Sequence, residues 1–185
     1  MKRVVGFFAA AALVIAIFMG AASVSAQDGV DSELAPGLEL ISDGRFDEAV
    51  SFFEEEAIKR PDDPDVFNYL GIARYHLGDF KSALEAFDES LDRDPSYVIV
   101  YHNIGVTYHA LGRYYLAIEN FERALNLTGD DEVLFFRLAL SYIALQDWET
   151  AREFLLSAQK MNPDESEYRA YLEYVNSKIS AEPQN

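Results

Sequence analysis

From about residue 32 onward, apolar and aromatic residues recur every three or four positions, and the pattern breaks at regular intervals. Over residues 98 to 131, Tyr101, Ile104, Gly105 and Tyr108 share one helical face, Gly112 interrupts, and Tyr114, Ala117, Ile118, Phe121, Ala124 and Leu125 resume the spacing. This predicts two helices joined by a tight turn, with Gly112 in the left-handed position that ends the first. The same unit returns at a shift of 34 residues. Ala49, Ala83, Ala117 and Ala151 align, as do Phe53, Phe87, Phe121 and Leu155, and Phe46, Phe80, Tyr114 and Trp148. Gly44, Gly78 and Gly112 form a turn column whose fourth member is Gln146. Leu70, Ile104 and Leu138 are followed directly by Gly71, Gly105 and Ala139, and Pro61, Pro95 and Pro163 form a last column with Gly129 in the remaining place.

Each column has a physical role. Small residues at Gly71, Gly105 and Ala139 and in the Ala49 column let helix backbones approach, and the aromatic columns fill the space between helices and between units. Proline stops the second helix. One helix pair cannot bury its own faces, so the pairs must stack. After Pro163, Tyr168, Tyr171, Leu172, Val175 and Ile179 are spaced for one more amphipathic helix, suited to cap the last apolar face. Residues 180 to 185 are expected to fray.

The pattern resembles the tetratricopeptide repeat family, a 34-residue helix–turn–helix with aromatic, Leu-Gly, Tyr, Ala, Phe and Pro positions. The resemblance implies an all-α, right-handed α-solenoid with repeats at 30–63, 64–97, 98–131 and 132–165 and a cap helix at 166–180. The first repeat matches only in its second half, where Pro36-Gly37 replaces the usual apolar-Gly pair. Its first helix is therefore expected to be short, starting near Ser32 or Pro36.

The N-terminus has a different character. Lys2 and Arg3 precede an uncharged run of 19 residues from Val4 to Ala22, and Val24-Ser25-Ala26 places small residues where a signal peptidase cuts. Residues 1–26 read as a secretory signal cleaved after Ala26, with 27–31 as a linker. An uncleaved anchor is the alternative, because the run approaches the roughly 20 residues that span a bilayer. Either way the remainder is exported. The chain has no cysteine, which closes the lipoprotein route and excludes disulfides and thiolate metal sites. The periplasm is the expected compartment, with secretion as the other outcome.

Charge narrows the partners. The chain has 15 basic and 32 acidic residues, a formal charge of −17. Removing residues 1–26 takes away two cations and no acid, leaving 13 against 32, or −19. Such a surface cannot attract phosphates, so nucleic acid is not an expected partner. Glu54-Glu55-Glu56 and Asp88-Glu89 fall on second helices and read as a solvated acidic face. Asp62-Asp63-Pro64-Asp65 and Asp130-Asp131-Glu132 read as N-terminal acids of the following helices rather than as calcium loops. Tyr115 and Leu116 fall where second helices face solvent and read as scattered exposed apolar residues.

No catalytic constellation is visible, so no enzyme, cofactor or metal is expected. In the family that the repeats resemble, first helices line a groove for a partner peptide or helix. That resemblance implies groove positions at Asn68, Ile72 and Tyr75, at His102, Val106 and His109, and at Phe136, Leu140 and Ile143. Asn103 and Arg137 match two positions of a carboxylate clamp known in part of the family, but its lysine positions hold Asn68 and Val133 and one asparagine position holds Ile72. His102 and His109 are two turns apart, about 10 Å, which is too far for one metal ion. A groove that changes charge near pH 6.5 is a milder expectation from the histidines. The reading that follows is a scaffold or adaptor that holds a segment of an envelope protein and assists assembly. A small-molecule-binding accessory of a transport system is the alternative, and self-association stays open.

Overall fold

The computed structural model describes residues 33–181, and these form an all-helical α-solenoid of paired helices. The expected signal segment 1–26 and linker 27–31 lie outside the described residues. The helices are α1 (Ala35–Ser42), α2 (Phe46–Lys59), α3 (Pro64–His76), α4 (Phe80–Arg93), α5 (Val98–Ala110), α6 (Tyr114–Thr128), α7 (Glu132–Ala144), α8 (Trp148–Met161) and α9 (Ser166–Ala181). None of them is long and apolar enough to cross a membrane.

Local chemistry sets the ends of the pairs. Asp63, Asp79, Asp131 and Asp147 precede α3, α4, α7 and α8, and each carboxylate accepts from a backbone N–H of the first turn. Inside each pair the turn is the same double backbone closure. Gly78 N–H reaches Tyr75 O and Asp79 N–H reaches Arg74 O, and the matching bonds recur at Gly44, Gly112 and Gln146. All four residues have positive φ, between 62° and 79°, although Gln146 carries a Cβ. Between pairs, Gly129 stands where proline stands elsewhere and ends the 15-residue α6 with φ 81°.

The core runs along the array through the columns. Phe53, Phe87 and Phe121 are fully buried, as is Leu155. A Cβ built on Gly71 would lie 2.5 Å from the Phe87 ring, and one on Gly105 would lie 2.5 Å from the Phe121 ring. Glycine is what lets these rings slide beneath the first helix. In the last pair Ala139 is paired with the smaller Leu155, both fully buried in one cluster. The added methyl on one helix is matched by the lost ring on the other.

Each helix packs on its neighbours in the chain, and α3, α5 and α7 also meet side by side. That row creates the face on which the groove positions lie. On the second helices Glu54, Glu55, Asp88 and Glu89 are exposed, as is Tyr115. Glu56 corrects the expectation of a wholly solvated acidic face, because it is buried and bonded to Lys59 at 2.7 Å.

Candidate functional site

The face begins with residues that the helical period sends toward neighbouring first helices. Of the eleven groove positions, Asn68, Tyr75, Asn103, Val106, Phe136 and Arg137 are buried, whereas Ile72, His102, His109, Leu140 and Ile143 are half-buried. The face therefore has a floor and a lip. Phe136 belongs to the floor, its ring 4.9 Å from that of Tyr168 and 5.4 Å from that of Tyr171 on α9. Ile72, Leu140 and Ile143 keep part of their surface open.

A chain of hydrogen bonds crosses the floor from α7 to α3. Arg137 Nε donates to His102 Nε2 at 3.4 Å, which leaves the imidazole proton on Nδ1, 3.3 Å from Asn103 Oδ1. Asn103 Nδ2 then donates to Asn68 Oδ1 at 2.9 Å. Every bond points the same way, so the tautomer of His102 and the orientation of both amides are set together. His109 has a separate arrangement. Its Nδ1 lies 3.1 Å from Ser141 Oγ, whose hydroxyl donates to Arg137 O at 3.0 Å, so His109 must be the donor. His76 stacks on Phe46 with ring centroids 4.5 Å apart.

These contacts decide two expectations. The two residues that match a carboxylate clamp do not converge, because Asn103 spends its amide donor on Asn68 and His102 stands between it and Arg137. The histidines do not titrate near pH 6.5. Burial pushes all three down, His102 to about 4 with Arg137 adding to the effect. At neutral pH the floor carries one cation, Arg137, which is 8% exposed and which burial holds down at about 10. Among the described residues no group of three His or acidic side chains is placed to hold a metal ion.

Three residues of α9 join the site without having been singled out as groove positions. Tyr168 and Tyr171 cover Phe136, and Glu167 lies within electrostatic range of Arg137. Glu167 and Tyr171 are 34 residues beyond Val133 and Arg137. Extending the repeat register into the cap helix was the signal that could have found them.

A row of first helices presenting a partly apolar face, backed by second helices, defines a helical-repeat scaffold for protein–protein interaction. The chain belongs to the tetratricopeptide repeat family, whose models match residues 62–129 and 108–173. No curated protein matches by sequence. Solved structures with the same fold include MamA from Desulfovibrio magneticus, with TM-score 0.73 and 24% identity over 80% of this chain and 84% of that one. PilF of Pseudomonas aeruginosa is similar with TM-score 0.74 and 18% identity over 81% of this chain and 68% of that one. The first repeat domain of Spaghetti (RPAP3), solved bound to an HSP90 peptide, is similar with TM-score 0.61 and 19% identity over 64% and 94% of the two chains.

Proposed function

We propose that this protein is exported and holds an extended or helical segment of another envelope protein across α3, α5 and α7, as a scaffold or assembly factor. The observation that carries the reading is the composition of that face. Ile72, Leu140 and Ile143 are half-open apolar side chains spread over two first helices, while the acids are on second helices and in turns. Burying a partner's apolar side chains there supplies affinity, and the polar floor supplies register. The peptide-bound Spaghetti domain supports the mode of binding, and the basic, apolar, small-residue start of the chain supports export to the periplasm.

The test is a photo-crosslinking amino acid placed at Ile72 or Leu140 in the exporting cell, with Tyr115 on α6, 76% exposed, as the control position. A discrete protein adduct from the two groove positions and not from Tyr115 is the expected result. Equal adducts from all three positions, or none from Ile72 and Leu140, would refute it.

A further inference from the structure

Two groups of opposite sense lie near each other, unpaired, where α7 meets α9. Glu167, in the first turn of α9, has one carboxylate oxygen, Oε1, that is buried and accepts no hydrogen bond among the described residues. Arg137 lies within its electrostatic range and is 8% exposed. Among the described residues no carboxylate oxygen comes within 4.0 Å of the Arg137 guanidinium, and its hydrogen bond from Nε goes to a neutral imidazole.

A desolvated guanidinium and a desolvated carboxylate oxygen would ordinarily find each other, because each costs free energy while unpaired. Here the floor prevents it. The bond to His102, which is itself bonded to Asn103, holds Arg137 toward α5 and away from α9. Its Nε is used, and its two terminal nitrogens are left as a planar donor pair. The rings of Phe136, Tyr168 and Tyr171 pack beside this spot and lower its polarity.

We propose that the Arg137–Glu167 juxtaposition is a subsite for a neutral planar amide of the segment held in the groove. The amide carbonyl accepts from the terminal nitrogens of Arg137, and its N–H donates to Glu167 Oε1. This rests on the groove reading above and specifies its ligand chemistry. A ligand carboxylate would pair with Arg137 but meet Glu167 at close range and leave Oε1 unsatisfied. An ammonium would do the reverse. A group with an acceptor and a donor a few ångströms apart satisfies both, and burial raises the preference by penalising any uncompensated charge. The burial that lowers the Arg137 pKa also raises that of Glu167, as expected for two charges that do not neutralise each other directly.

The test uses the exported full chain and a phage-displayed library of random 12-residue peptides. Selected peptides are synthesised, and their affinities are measured for the wild type, E167A and I72D, with each variant checked for native helicity. The expected result is selected peptides that bind the wild type, lose binding on I72D, and weaken at least tenfold on E167A. Converting one Gln or Asn of the peptide to its acid, or N-methylating one backbone amide, should cost as much on the wild type and little on E167A. The first pattern identifies a side-chain amide and the second a backbone amide. If I72D abolishes binding while E167A stays within twofold or binds tighter, the amide subsite is wrong and the groove reading stands. Failure to enrich any peptide overturns both.

Discussion

Gly105 and Phe121 offer a sharp test of how the columns work. Replacing Gly105 by alanine puts a methyl 2.5 Å from Phe121 Cε1, 2.6 Å from Cδ1 and 2.9 Å from Cζ. Carbon atoms in contact prefer about 3.5–4.0 Å, so the ring must retreat by roughly 1 Å. Phe121 is 1% exposed and its neighbours Ala117 and Ala124 are fully buried, so there is no free volume to retreat into. Overpacking of this kind costs about 1–3 kcal/mol, and we expect G105A near the upper end. F121L alone should cost about 1–2 kcal/mol, because it removes part of a buried ring and leaves a cavity. The last repeat already contains the compensated pair, Ala139 with Leu155. The double variant G105A/F121L should therefore be more stable than the sum of the single changes predicts, with a coupling of at least about 1 kcal/mol. Urea unfolding followed by far-UV circular dichroism on all four proteins measures it. Additive losses, or a G105A variant as stable as the wild type, would refute the argument that glycine is there to admit the ring.

Two further outcomes follow from named contacts. Gln146 holds φ 62° in the turn where the other repeats have glycine, so Q146G should stabilise the protein by about 1 kcal/mol, read from the urea midpoint; destabilisation would show that the Gln side chain repays its strain. His102 is held neutral in the folded protein with its pKa lowered to about 4, while in the unfolded chain it takes a proton near 6.5. Between those values the unfolded state binds more protons, so stability falls as pH drops from 6.5 toward 4, by on the order of 2–3 kcal/mol for this residue. H102Q should flatten that part of the profile, and an unchanged slope would count against the buried neutral imidazole.

The architecture was legible because its causes are local and repeated. The 34-residue period, the Gly44, Gly78 and Gly112 turns with Gln146 as fourth member, and the short first helix before Gly44 all follow from propensity, spacing and turn chemistry within one unit. The site was legible only as a set of positions. Their placement on first helices followed from the register, but Phe136 reads equally as an open anchor or as a residue sealed by the cap, and helix α9 settles it. Glu56 likewise sits on an outward stretch by period, yet it is buried.

Periodicity along one helix pair thus defines the elements, the turns and the acidic second helices, since each depends on residues close in the chain. The bonds from Arg137 through His102 and Asn103 to Asn68 join three helices, and the approach of Glu167 to Arg137 adds a fourth. Those depend on how far each first helix is rotated and displaced against the next and on which polar atoms are thereby cut off from water. Desolvation is a property of the assembled array, so the neutral histidines, the lone buried cation and the unpaired oxygen beside it arise only once the helices have stacked.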